Sequence, residues 1–335
     1  MISDRESYID SLRGIAILLV VIFHYTYHYN SEYLLRNDDW SFELGKYGWS
    51  GVDIFFVISG YCIGMTIIRT KNFFEFMVRR FARLYPAYLT AGVLTLIFYY
   101  FFELPGREVD LYTGLMNLIF ANFIPGLNYQ YIDGIYWALI VEIKFYLFFG
   151  LLFFACKDLT KSIYLWFAIC LIGNLILIID AKSYIFLTSI FPHANLFLLG
   201  LLIYNLKKIN LTFIIIVILF LIISLFIQER YEEFEIYFIF ILFLVSFILQ
   251  KKISLKIKFL SFIGLISYTW YLIHNAIGII VIRELNNLDF QNVSIYAAIT
   301  FTFILSVLIY NIIEIKSKSA IIDFYKSVRL KYNLE

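Results

Sequence analysis

The sequence predicts an all-α, polytopic membrane protein of about ten transmembrane helices, with both termini on the cytoplasmic side. Three observations predict it. The 335-residue chain is 62% hydrophobic and 16% charged, with a mean hydropathy of +0.82, whereas soluble domains are about 45–50% apolar and about 25% charged. Apolar stretches long enough to cross a bilayer, roughly 20 residues each, recur along the whole length. Lys and Arg fall on alternate sides of those stretches in very unequal numbers. So much apolar surface needs lipid as its solvent. Four prolines leave no Pro-rich linker, and a net charge of +2 gives no reason to expect a nucleic-acid partner.

In chain order the spans are about 10–29, 47–68, 84–102, 134–155, 162–180, 185–206, 211–228, 233–250, 259–282 and 293–315. A shorter apolar piece, 114–124, cannot span and reads as re-entrant or interfacial. Residues 1–335 read as one integral membrane domain without a repeat or an appended soluble domain, closed by a short basic cytoplasmic tail at 315–335. Asp4, Glu6 and Asp10 before the first apolar run, and the lack of a small-residue cleavage site, argue against a cleaved signal peptide. With the N-terminus inside, 20 of the 27 Lys and Arg residues lie on the inner side, six on the outer side, and Lys144 within a span. Acidic residues cluster outside, at Asp38/Asp39 and Glu229–Glu235. Cys62, Cys156 and Cys170 have no metal-like spacing and read as packing residues, not a disulfide framework.

Ionisable groups within spans are costly, so each is a functional candidate. The first span holds Arg13 and His24, eleven residues apart. That is about 16 Å of helix axis and within about 20° of three full turns, so both lie on one face. Arg13 is near the cytoplasmic surface and His24 lies beyond the midpoint. The alternative is a snorkelling Arg and a His bonded to a neighbouring helix. His28 follows His24 at i+4, a spacing that can bind metal, but no third ligand is evident and no metal is expected. The second span carries Asp53 in an apolar run, as a catalytic group or as half of a structural pair, and Gly51, Gly60 and Gly64 allow close helix approach. The following inner loop is the most basic segment of the chain. Phe73, Phe74, Met77, Phe81 and Leu84 recur at helical spacing, so it reads as an amphipathic interfacial helix. Arg79, Arg80 and Arg83 can converge there on phosphate oxygens; topology and anionic lipid are the competing explanation. The fourth span opens at Tyr136-Trp137 and carries Glu142, with Lys144 on another face. His193, after Pro192, reads as structural. The ninth span aligns Ser267, Tyr271 and His274 at i, i+4 and i+7, one polar stripe.

Together these segments resemble the acyltransferase-3 family of integral membrane acyltransferases. Ser11-Leu12-Arg13-Gly14-Ile15 with His24 resembles its Arg-x10-His first-helix motif. Residues 51–61 resemble its Gly-Val-Asp-aromatic-Phe-x-x-Ser-Gly segment, and 79–88 its Arg-Arg-x-x-Arg-x-x-Pro-x-Tyr segment. Trp137 to Tyr146 resembles Trp-(Ser/Thr)-Leu-x-Val-Glu, and 264–274 resembles Gly-x-x-Ser-Tyr-x-x-Tyr-Leu-x-His. Two positions depart: Ala138 stands where Ser or Thr is usual, and Glu142-Ile143-Lys144 where Glu-Glu-Gln is common, so only Glu142 is carried over. The hydrolase-like extracytoplasmic domain fused to some relatives is not expected here.

The resemblance implies an O-acetyltransferase-like enzyme of the cell (inner) membrane. Its donor would be cytoplasmic acyl-CoA, most often acetyl-CoA. Its acceptor would be a hydroxyl of a cell-envelope carbohydrate such as exopolysaccharide, O-antigen or a lipid-linked sugar. Arg13, Arg79, Arg80 and Arg83 would hold the donor phosphates, and the pantetheine arm would run along the first helix towards His24. His24 would take the acceptor's proton, or carry the acyl group as a relay. Glu142 or Asp53 would orient its ring. Trp137, Ser267, Tyr271 and His274 would contact the acceptor. A proton-coupled transporter or flippase of an envelope glycan also fits buried His, Asp, Glu and Arg, although no repeat relates the two halves. A polytopic glycosyltransferase is a third class, matched only by Asp38-Asp39.

Overall fold

The computed structural model describes residues 4–29, 43–102, 104–107, 109–124, 127, 129–179, 190–227 and 258–331. Among them there is no strand. The α-helices among them are α1 (Asp4–Ile22), α2 (Ser50–Ile67), α3 (Phe73–Phe101), α4 (Leu111–Leu118), α5 (Trp137–Cys156), α6 (Leu159–Ile179), α7 (Phe191–Asn205), α8 (Leu211–Ile227), α9 (Lys258–Asn287), α10 (Gln291–Ile309) and α11 (Ile315–Lys331). Seven helical stretches are long and apolar enough to cross a membrane: Tyr8–His28, Gly45–Ile67, Phe73–Phe101, Gly134–Cys156, Leu159–Ile176, Lys258–Asn287 and Gln291–Lys331. They coincide with seven of the expected spans. The expected span 211–228 is α8, and the described part of 185–206 is α7. The span 233–250, residues 185–189, Asp38/Asp39, Glu229–Glu235 and the Lys residues from 251 to 257 lie outside the described residues.

Two elements differ from expectation. The basic segment and the third span form one helix, α3, rather than an interfacial helix followed by a crossing. Its start is a reciprocal cap: Asn72 Oδ1 accepts Glu75 N–H at 2.9 Å, and Glu75 Oε2 accepts Lys71 N–H at 3.2 Å. Pro86 lies inside it and removes one backbone donor, an interruption that membrane helices tolerate. The tail is the second difference. After α10 the chain passes through a π-helical turn, Tyr310–Glu314, and continues as α11, so the tail is a helical extension of the last span. The short apolar piece is the eight-residue α4, about 12 Å long and too short to cross.

The chain forms two compact units. The first comprises Met1–Ile9, Val52–Phe76 and Val141–Lys256; the second comprises Asp10–Gly51, Met77–Ile140 and Ile257–Glu335. The first has an aromatic centre. Phe145 stacks on Phe197 at 4.1 Å and meets Trp166 edge-on at 5.4 Å, and Trp166 Nε1–H donates to Ala194 O at 3.3 Å. Backbones touch where α2 crosses α7: a Cβ on Gly60 would lie 2.2 Å from Phe197 O. In the second unit a Cβ on Gly14 would lie 2.2 Å from Leu260 O, and one on Gly264 1.7 Å from Asp10 O. Small residues thus set the α1–α9 distance, as the glycines of α2 do in the first unit. α9 and α10 pack as a pair, with Trp270 Nε1–H donating to Thr302 Oγ1 at 3.1 Å.

Gly264→Leu is therefore expected to destabilise by upward of about 3 kcal/mol, because the clash is with rigid backbone. Thermal unfolding in detergent checks it: an unchanged midpoint would show that α1 and α9 can separate freely.

Candidate active site

His24 sits in a π-helical turn, Phe23–His28, that follows α1 directly; Tyr29 N–H bonds back five residues to His24 O. Nine of the eleven steps from Arg13 to His24 are therefore α-helical, through Ile22. Such turns are rare and are frequent at functional sites. His24 is buried, and its Nδ1 lies 2.9 Å from Val20 O and 3.2 Å from His274 Nε2. A carbonyl only accepts, so Nδ1 carries the proton. His274 is fully buried, with Nδ1 2.7 Å from Tyr271 O and 3.2 Å from Trp270 O. By the same argument its proton is on Nδ1, and its Nε2 lone pair faces the His24 N–H. Among the described residues, no hydrogen bond occupies His24 Nε2.

Around the pair, polar groups from distant segments fix the backbone. Tyr25 Oη donates to His274 O at 2.6 Å, and a Cβ on Gly278 would lie 1.8 Å from that Oη, so only glycine lets the tyrosine in. Asp133 is fully buried. Its Oδ1 accepts from Asn275 Nδ2 at 2.6 Å and from Ile135 N–H at 3.3 Å; its Oδ2 accepts Ala276 N–H at 2.8 Å. Segment 104–133 delivers Asp133 because Asn117 Nδ2 donates to Gln130 O and Asn122 pairs with the backbone of Tyr129. Arg107 Nη2 donates to His28 Nε2 at 3.3 Å, and its charge acts on both His24 and Asp133.

The structure distributes the expected site residues unevenly. His24 and His274 meet. Tyr271 Oη donates to Ile135 O at 2.9 Å and Ser267 Oγ to Gly264 O at 2.8 Å, so both hydroxyl protons are held by backbone. Trp137 opens α5 and is half-buried, four residues after Asp133. Arg13 pairs with Asp10 at 3.0 Å. Arg13 and Arg83 act electrostatically on Glu314, and Arg13, Arg80 and Arg83 on Lys318, so these cations form one group in the second unit. Glu314 accepts from Thr269 Oγ1 at 2.6 Å. Arg79 is half-buried one position before Arg80. Asp53 and Glu142 belong to the first unit. Asp53 is buried in the first turn of α2. Glu142 accepts from Ser59 Oγ at 2.6 Å and from Tyr146 Oη. His193 packs on Phe56 at 5.1 Å.

The family model for the acyltransferase domain (Acyl_transf_3) matches residues 6–311. The chain belongs to the acyltransferase-3 family. Its His24–His274 pair falls inside the matched acyltransferase domain. It is 30% identical over 159 residues to the peptidoglycan O-acetyltransferase OatA of Listeria monocytogenes, covering 42% of this chain and 22% of that protein. It is 27% identical over 156 residues to the O-acetyl transferase of Shigella phage Sf6, covering 44% and 45%. A putative membrane-bound transacylase, BcsY of Komagataeibacter xylinus, is 30% identical over 157 residues, covering 43% and 36%. The matches thus span less than half the length of these relatives. No solved structure matches the chain.

Sequence reasoning missed Asp133, Asn275, Tyr25 and the pairing of Arg107 with His28. Asp133 is an acid in a connecting segment, and nothing in the sequence marks it as buried.

Glu142 offers a test independent of activity. Glu142→Ala leaves the Ser59 and Tyr146 hydroxyls without their shared acceptor and is expected to cost about 1–3 kcal/mol. Glu142→Gln, which keeps one acceptor oxygen, is expected to cost less. Thermal unfolding of the purified variants in detergent ranks them, and equal midpoints for Glu142→Ala and wild type would contradict the assignment.

Proposed function

We propose that this acyltransferase moves an acyl group, most often acetyl, from cytoplasmic acyl-CoA to a hydroxyl of a cell-envelope carbohydrate, at the inner membrane. The observation that carries the reading is the His24 ring: buried in the matched domain, with Nδ1–H held by Val20 O, so that Nε2 remains for proton transfer. Two named relatives are O-acetyltransferases, one of them acting on peptidoglycan. The acetyl donor is supported by the group of Arg13, Arg80, Arg83 and Lys318, whose charges suit the phosphates of CoA.

The acceptor hydroxyl gives its proton to His24 Nε2 as its oxygen attacks the thioester carbonyl. The tetrahedral intermediate collapses, the C–S bond breaks, and the thiolate leaves. The same proton passes from Nε2 to the sulfur, so CoA departs as the thiol and the imidazole is restored. Direct transfer is favoured over an acyl-histidine relay because an acylated Nε2 could not also take the acceptor's proton. Trp137 stands at the start of α5, close in sequence to Asp133, and would contact the sugar.

In purified protein, His24→Ala and Arg13→Ala are each expected to abolish acyl transfer, read as CoA thiol release and a mass shift of candidate glycans, while the protein stays folded. Near-normal transfer by folded His24→Ala would exclude the mechanism. Arg79→Ala and Arg83→Ala are expected to raise the apparent KM for acetyl-CoA; an unchanged donor KM in the double variant would assign those arginines to topology and lipid.

A further inference from the structure

We propose that His274 is a positioning residue for His24, and that Asp133 acts through it. This rests on the reading of His24 as the base. The sequence gives the orienting part to a carboxylate, Glu142 or Asp53, and places His274 against the acceptor. The geometry points elsewhere. The atoms that hold His24 Nδ1 in the second unit are Val20 O at 2.9 Å and His274 Nε2 at 3.2 Å. An imidazole that accepts at one nitrogen must carry its proton on the other, and Tyr271 O and Trp270 O hold that proton on His274 Nδ1. The two rings form a directed chain: Tyr271 O takes the His274 proton, His274 Nε2 takes the His24 proton, and His24 Nε2 is left basic. Reversing the His274 tautomer would set two N–H groups against each other.

His274 can keep this orientation because its backbone is clamped on both sides. Tyr25 Oη holds its carbonyl, while Asp133 holds the next two residues through Asn275 Nδ2 and the Ala276 N–H. Asp133 is buried with three donors aimed at it, so its two oxygens are fixed in direction. When His24 gains a proton, Nδ1–H becomes a stronger donor, and a preset acceptor at 3.2 Å needs no rearrangement. Among the described residues, the ionisable groups that act on His24 are His274, His28 and Arg107, and of these His274 bonds to its ring. A histidine in this place does what the carboxylate behind a catalytic histidine does elsewhere, without adding a net negative charge to the bilayer interior.

The test compares His274→Phe, which fills the space without an acceptor, with His274→Gln, whose amide oxygen can reach the Nε2 position. In full-length protein in detergent, with acetyl-CoA as donor, His274→Phe is expected to lower kcat about 100-fold, a loss typical of orienting partners. His274→Gln is expected to recover it to within about tenfold, with the KM for acetyl-CoA unchanged in both. Equal kcat for folded His274→Phe and wild type overturns the proposal; a His24→Ala variant assayed beside them separates that failure from failure of the base itself. Where His274→Phe does not fold, 15N spectra of histidine-labelled wild type decide, with the His24 signal identified by its loss in His24→Ala. An Nδ1-protonated His24 that keeps its tautomer in His274→Gln and shifts towards the other in Asp133→Asn supports the proposal, and an Nε2-protonated wild-type ring overturns it.

Discussion

A histidine ring deep in a membrane helix bundle has two nitrogens, and each must be given a definite state. Here one contact decides both. The Nδ1–H of His24, shared between Val20 O and His274 Nε2, fixes where the proton sits and therefore which nitrogen is basic. Much of the second unit serves that contact. Gly14 and Gly264 bring α1 and α9 close enough for the two rings to meet. Gly278 admits Tyr25, and the connection between α3 and α5 carries Asp133 to Asn275 and Ala276 of α9. Two histidines 250 residues apart become one unit because backbone carbonyls and a buried carboxylate leave neither ring a second orientation.

The cations around Glu314 obey a different logic. Arg13 is neutralised in part by Asp10, and Glu314 lies within the field of Arg13, Arg83 and Lys318. The group is thus not a bare positive surface but a set of charges with internal counter-ions, which lowers the cost of holding it together without a ligand. An anion entering it competes with carboxylates already there. Lys318 joins this group from α11, which the sequence gives only as a basic tail.

The spans were legible because apolar run length is a one-dimensional property: hydropathy found α2, α5 and α9 within a few residues. Arg13, His24 and His274 were legible as expensive groups in apolar surroundings. What the sequence could not supply was their meeting. Tyr25 is one of 27 tyrosines, so its type carries no signal, and its part depends on a glycine more than 250 positions away. The join between the basic segment and the third span was not legible, because a single missing backbone bond at Pro86 is absorbed within α3. Ser267 and Tyr271 share the His274 stripe as expected, yet their hydroxyls turn to carbonyls. Periodicity reports a face and says nothing of a proton's destination.

The last helical stretch is too long for the layer it crosses. From Gln291 to Lys331 it is 41 residues, about 60 Å at 1.5 Å per residue, against about 30 Å of hydrocarbon. Part of it must therefore extend beyond the hydrocarbon, and the basic residues near its C-terminal end are not one patch. Lys316 and Lys318 lie in the first turn of α11, while Arg329 lies eleven residues beyond Lys318, about 16 Å farther along the helix. That exceeds the screening distance of about 8 Å in physiological salt. The two tiers of charge are consequently screened from one another, and it is Lys318 that shares the field of Arg13, Arg80, Arg83 and Glu314.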